Sequence, residues 1–94
     1  MSLKVEYAPE AEETLILVYE FILGNFGKRS AESFLAKAEK IIKLIAELPH
    51  MYKASPFDEN VRIGLITKQT SVFYRVTQEK LELLFFWDNR QEPI

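Results

Sequence analysis

The sequence predicts an α+β domain in which a helical hairpin lies over a mostly antiparallel four-stranded sheet, in the order β-α-α-β-β-β. Three observations predict it. A short alternating run opens the chain, two segments with apolar residues at three-four spacing follow, and three β-rich runs separated by short polar gaps fill residues 60–87.

In the opening run, Leu3, Val5 and Tyr7 alternate with Lys4 and Glu6, as in a strand with one buried face. Pro9 stands where a first helical residue belongs, because its fixed φ suits that turn and its missing N–H would find no partner there anyway. Glu10, Glu12 and Glu13 then set negative charge against the positive end of the helix. Ala11, Leu15, Val18 and Ile22 form one apolar stripe, and Gly24 and Gly27 end the segment.

The second helix carries the clearest periodicity. Ala31, Phe34, Ala38, Ile41, Ile45 and Leu48 share a line from which Lys37, Lys40 and Lys43 are excluded, and Pro49 closes it. So short a connector makes the two helices an antiparallel hairpin, and small Ala31 and Ala38 allow close approach.

Residues 49–58 read as a loop, punctuated by Pro49, Ser55, Pro56 and Asp58. Strands are expected over 60–66, 71–76 and 81–87, joined at Lys68-Gln69 and Gln78-Glu79. With two-residue turns, Val61, Ile63, Leu65, Val72, Tyr74, Val76, Leu81, Leu83, Phe85 and Trp87 share one face, the one expected to meet the helices. The other face carries Arg62, Gly64, Ile66, Ser71, Phe73, Arg75, Glu82, Leu84, Phe86 and Asp88. A solvated face would not gather Phe73, Leu84 and Phe86, so these residues, with Arg75 beside them, are the expected partner-binding surface. The same register sets Arg75 opposite Glu82, an ordinary cross-strand ion pair, with Arg62 in the same row.

Ninety-four residues suit one domain spanning 1–94, and a hydrophobic fraction of 48% supports a packed core over a disordered chain. The absence of cysteine excludes disulfides and thiolate metal sites. No ligand-spaced histidines and no Gly-rich phosphate loop occur, so neither metal nor cofactor is expected. Charged residues at the N-terminus and the lack of a long apolar run point to a cytoplasmic protein without a membrane segment. Net charge is −2 but segregated: residues 1–26 carry −4 and residues 27–53 carry +3. That balance argues against an autonomous nucleic-acid binder while leaving room for a local basic patch.

Three local motifs occur in a specific order. Ala8-Pro9-Glu10-Ala11 leads from the first strand into a helix, Phe73-Tyr74-Arg75-Val76 fills the penultimate strand, and Phe86-Trp87-Asp88-Asn89-Arg90-Gln91-Glu92-Pro93 follows the last apolar run. Together with the element order, they resemble the RelE/ParE superfamily of toxins from type II toxin–antitoxin modules, over nearly the whole chain. The resemblance implies a cognate antitoxin as partner and a cellular target, either DNA gyrase (as in the ParE-like branch) or the ribosome.

Ribonuclease members of that superfamily cut messenger RNA without a metal. They need a base for the ribose 2′-hydroxyl, cations for the charged phosphorane and an acid for the leaving oxygen. By the resemblance, Arg62 fits the first basic position and Arg90 the last arginine, making these two the candidate catalytic residues. Gly64 and Ser71 occupy two further basic positions, and no tyrosine follows Arg90 before Ile94. The expectation is therefore a toxin that acts by binding its target rather than as an enzyme. A ribosome-dependent ribonuclease with a reduced residue set and a non-toxic antitoxin-binding member are the alternatives, and a homodimer is a competing use of the apolar patch. His50, Tyr52, Lys68 and Trp87 are read as packing or solvated residues.

Overall fold

The computed structural model describes residues 2–90, and its element order is the expected one: β1 (Lys4–Tyr7), α1 (Pro9–Phe26), α2 (Lys28–Glu47), β2 (Val61–Thr67), β3 (Thr70–Val76) and β4 (Lys80–Asp88). The sheet runs β1-β4-β3-β2. β1 is parallel to β4, and the other pairs are antiparallel.

Pro9 opens α1 as expected, without a side-chain cap from Ala8. Gly24 lies inside the helix, so the connector is Gly27 alone. Its φ of 93° reverses the chain in one residue and restricts the position to glycine. α2 buries Ala31, Phe34, Ala38, Ile42, Ile45 and Ala46. Ile41 is only half-buried and Leu48 is exposed, because the helix stops at Glu47 and Leu48 leaves the core line. Ala11 of α1 is fully buried, while Leu15, Val18 and Ile22 pack partly against the same core.

The strand faces differ from expectation at two one-residue bulges, each of which turns the following side chains to the opposite face. In β2–β3, Thr67 pairs with Thr70 but Leu65 pairs with Ser71, so Ile66 is the extra residue. Gly64 and Ile66 therefore meet the helices, whereas Ile63 and Leu65 do not. In β3–β4 the expected register holds from Val76–Leu81 to Tyr74–Leu83, including Arg75–Glu82. Leu84 is then bulged, and Phe73 pairs with Phe85.

The consequence is a reversal at the end of β4. Phe86, expected on the outer face, is in the core at 3% exposure, while Phe85 and Trp87, expected against the helices, are half-buried on the outer face. The bulge does not leave the Phe86 amide unpaired: it donates to Thr14 Oγ1 at 2.8 Å, and that hydroxyl donates in turn to the Glu10 carbonyl at 2.7 Å. A helix side chain thus completes the hydrogen bonding of a distorted strand.

Candidate functional site

The residues expected to act together lie in four separate environments. Arg62 sits on the helix-facing side, where its guanidinium donates to the Tyr52 carbonyl and Ala54 bridges to its backbone. Tyr74, fully buried opposite Arg62, donates its hydroxyl to the Pro49 carbonyl at 3.1 Å. Burial raises the Tyr74 hydroxyl above its ordinary pKa, against the opposing pull of the Arg62 charge. Arg62 and Tyr74 together strap the loop that precedes β2 onto the sheet, and Ser55, whose amide donates to the Val61 carbonyl, continues that strap.

Arg75 points the other way. It pairs with Glu82 at 3.2 Å on the outer face, so it does not share a row with Arg62 as expected. Beside it, Lys80 pairs with Glu6 at 3.1 Å, and that carboxylate raises the lysine's pKa. One half of the outer face is thus a ladder of alternating charges. The other half is aromatic: Phe73 stacks on Phe85 with ring centroids 4.4 Å apart, and Trp87 meets Phe85 edge-on at 6.5 Å. Of the expected partner-binding set, Phe73 and Arg75 lie on the outer face, Leu84 marks the bulge, and Phe86 is unavailable because it packs under the helices.

Arg90 occupies a fourth environment, just past the end of β4. Its guanidinium binds the Asp88 carboxylate through two contacts, Nε at 2.9 Å and a terminal nitrogen at 2.8 Å, and lies 4.8 Å from the Phe21 ring centroid. The hydrogen bonds from Arg90 hold the Asp88 carboxyl below the usual aspartate range. Arg62 is level with Tyr74 and Asp88 is level with Thr70, four residues along β3. Arg62 and Asp88, the residue that holds Arg90, are therefore separated by roughly 13 Å along the strand. Gln91, Glu92 and Pro93 of the C-terminal motif lie outside the described residues.

Gly64 and Ser71 explain themselves locally. A Cβ on Gly64 would stand 3.0 Å from Ile45 Cδ1 and 3.3 Å from the Tyr52 ring. A basic side chain at that position would enter the core. Ser71 is buried and donates to Asn89 Oδ1 at 2.9 Å. His50 is exposed in the loop, and no three acidic or histidine side chains gather as metal ligands among the described residues. No described helix is long and apolar enough to cross a membrane.

One feature escaped the sequence reading. A groove of about 890 Å3 opens between the end of the helical hairpin and the β2–β3 turn. Leu17, Val18, Phe21, Ile22, Phe26 and Phe34 give it apolar walls, and Arg29, Lys37, Lys68 and Arg90 stand around them. Among the described residues, Asp88 is its only acidic lining residue, and neither His nor Tyr is among its lining. The signal was present as a second apolar line on α1, Leu17 and Phe21 four residues apart, flanking the stripe that faces the core.

Comparison with known proteins identifies the chain. Residues 5–93 match the family described as the ParE toxin of the type II toxin–antitoxin system, parDE. None of the curated proteins compared is similar enough in sequence to match. Among solved structures, a chain of the chromosomal ParDE system from P. aeruginosa is similar at TM-score 0.76 and 16% identity, covering 93% of this chain and 96% of that one. A chain of the E. coli DinJ–YafQ toxin–antitoxin complex follows at TM-score 0.66 and 9% identity, covering 96% of each. The YoeB dimer from Staphylococcus aureus gives TM-score 0.65 and 14% identity, covering 90% of this chain and 94% of that one. These identities speak for a shared fold, and the family match speaks for more. Spanning nearly every residue on a β-α-α-β-β-β framework, it shows that this chain belongs to the ParE toxin family of type II toxin–antitoxin systems.

Proposed function

We propose that the protein is a cytoplasmic toxin that stops growth by binding a cellular protein, with DNA gyrase as the candidate target, and that a cognate antitoxin silences it. The observation that carries this reading is the dispersal of the cations that metal-free RNA cleavage would need in one place. Arg62 is committed to a loop carbonyl, Arg90 to Asp88, and the two stand at opposite ends of β3. The Gly64 position cannot accept a cation without displacing Ile45 and Tyr52. Cleavage without a metal requires an activated 2′-hydroxyl and a protonated leaving oxygen at the same phosphate. Two separated guanidinium groups supply neither.

The aromatic half of the outer face is the proposed contact surface for a protein partner, the antitoxin first among them. It keeps Phe73 and Arg75 and takes Phe85 and Trp87 in place of Phe86. Its edge-to-face and stacked rings present a flat apolar area of the kind that interfaces cover. Charge introduced there, as in Phe73→Asp, should weaken a partner complex without unfolding a half-buried position.

One observation favours the ribonuclease alternative: the groove does bring Arg90 near Lys68, Lys37 and Arg29. Among the described residues its one carboxylate is held by Arg90, however, and no histidine or tyrosine accompanies it. The deciding experiment induces the protein in cells and maps transcript ends, alongside a supercoiling assay of purified gyrase with purified protein. The expected result is growth arrest with inhibited supercoiling and unchanged transcript ends. Codon-positioned cuts that disappear in Arg90→Ala would overturn the proposal, and absence of any growth effect would leave a non-toxic antitoxin-binding protein.

A further inference from the structure

We propose that two copies of the chain associate through the solvent side of the helical hairpin, α1 of each lying on α2 of the other about a two-fold axis. Charge segregation within the hairpin has no use in the toxin reading. α1 holds Glu10, Glu12, Glu13 and Glu20 and no basic residue, whereas α2 holds Lys28, Arg29, Lys37, Lys40 and Lys43 against three glutamates. A helix pair that merely faces water gains most from mixing both signs along each helix.

The surface turned away from the sheet sorts by helix. On α1, Glu13, Ile16, Leu17, Glu20 and Gly24 recur at three-four spacing opposite the core stripe, and all are exposed, Ile16 at 55% and Leu17 at 63%. On α2 the equivalent line is Arg29, Ser33, Ala36, Lys40 and Lys43, also exposed. The charged members of both lines form no ion pair among the described residues. Their neutral members Gly24, Ser33 and Ala36 are small, and a Cβ on Gly24 would meet nothing within 4 Å, so a second helix can approach closely.

Gly27 is a one-residue connector, so positions equidistant from it lie level: Glu13 beside Ile41, and Glu20 beside Phe34. A two-fold axis parallel to the helices, above the line between them, sets each helix on the other kind without sliding either. Glu13 of each copy then meets Lys40 and Lys43 of the other, Glu20 meets Ser33 and Lys37, and Ile16 and Leu17 cover Ala36. Opposite charges face each other twice. A partner of single sign, such as a nucleic acid or a basic peptide, would be drawn to one helix and repelled by its neighbour. A second copy matches both. The helices are roughly 27 and 30 Å long and about 10 Å across, so the two copies would bury roughly 1,100 Å2, near the lower limit for a specific interface. The association is therefore weak and salt-sensitive, and it leaves the aromatic half of the outer sheet face free.

The test is sedimentation equilibrium of the purified intact protein from low to high micromolar concentration. A monomer–dimer equilibrium is expected at low salt, and about 1 M salt, which screens charges beyond about 3 Å, should weaken it about tenfold or more. Glu13→Lys/Glu20→Lys sets cation against cation, and Lys40→Glu/Lys43→Glu sets carboxylate against carboxylate. Each double variant alone should be monomeric with unchanged circular dichroism, and an equimolar mixture of the two should dimerise again, because opposite signs then meet at both helices. Phe73→Asp, on the outer sheet face, should dimerise as the unaltered chain does.

A monomer at every concentration in low salt, a dimer that both double variants retain, variants that stay monomeric when mixed, or loss of the dimer in Phe73→Asp would each overturn the proposal.

Discussion

The bulge at Leu84 makes a quantitative prediction, because it decides which of two adjacent phenylalanines carries the core. Phe86 is 3% exposed and clusters with Val72, Leu83 and the residues under both helices, so Phe86→Ala removes a ring from a site that cannot refill. Such truncations cost about 3–5 kcal/mol. Phe85 is half-buried on the outer face and loses its stack on Phe73 together with part of its apolar burial. Half of a phenylalanine's transfer energy plus one aromatic pair comes to about 1–2 kcal/mol. With a urea m-value near 1 kcal/mol/M for a small domain, the midpoint should fall by about 3–5 M for Phe86→Ala and by about 1–2 M for Phe85→Ala. A domain at the low end of ordinary stability, about 5 kcal/mol, is brought close to unfolding by the first change alone and should survive the second. Equilibrium urea titration followed by circular dichroism reads both. If Phe85→Ala proves as costly as Phe86→Ala, the bulge is misplaced and β4 keeps a regular alternation.

Three further outcomes follow from named contacts. Thr14→Val keeps the shape but removes the acceptor of the Phe86 amide, so denaturation should show a loss of about 1–3 kcal/mol, whereas Thr14→Ser should retain most of the stability. Gly64→Ala places a methyl against fully buried Ile45 and the Tyr52 ring, and thermal melts should show a loss of about 1–3 kcal/mol from overpacking. Asp88 has its folded pKa depressed by Arg90, so the pair's contribution is present above the ordinary aspartate value of about 4 and disappears as pH falls through the lower folded value. Carboxyl carbon shifts in an NMR titration should place the Asp88 midpoint below that range, and Arg90→Ala should raise it.

The sequence was legible wherever periodicity was clean. The α2 stripe was read at Ala31, Phe34, Ala38 and Ile45 because Lys37, Lys40 and Lys43 mark the solvent side, although Ile42 and Ala46 are buried in place of Ile41 and Leu48, and the Arg75–Glu82 pair followed from counting back from a short turn. The faces of β2 and the end of β4 were not legible. Leu83-Leu84-Phe85-Phe86-Trp87 is apolar at every position, so no alternation exists to reveal a skipped residue. In β2 the branched residues suggested a core face, yet Gly64 is the residue that meets the helices, its lack of a side chain being what lets Ile45 and Tyr52 approach. The groove was hidden for a different reason. It joins α1, α2, the β2–β3 turn and the end of β4, and no local pattern announces a convergence of four segments. Arg62 and Arg90 were singled out as candidate catalytic residues by resemblance, and only the folded structure shows that a loop carbonyl holds the first and a neighbouring aspartate the second.

The strand order has a consequence for how the molecule is made. β4 is an interior strand, flanked by β1 and β3, and α1 lies over it, yet it is synthesised after every other described element. Until it emerges, β1 has no strand to pair with, β3 keeps an open edge, and the apolar stripe of α1 has little to cover. A nascent chain that has reached residue 79 therefore holds most of the domain's sequence but not its central staple. Pairing β1 with β4 must also close a span of more than seventy residues, a non-local step of the kind that slows folding. Assembly should proceed as a single late event, so incomplete chains would be exposed to proteolysis rather than accumulate as partly competent protein.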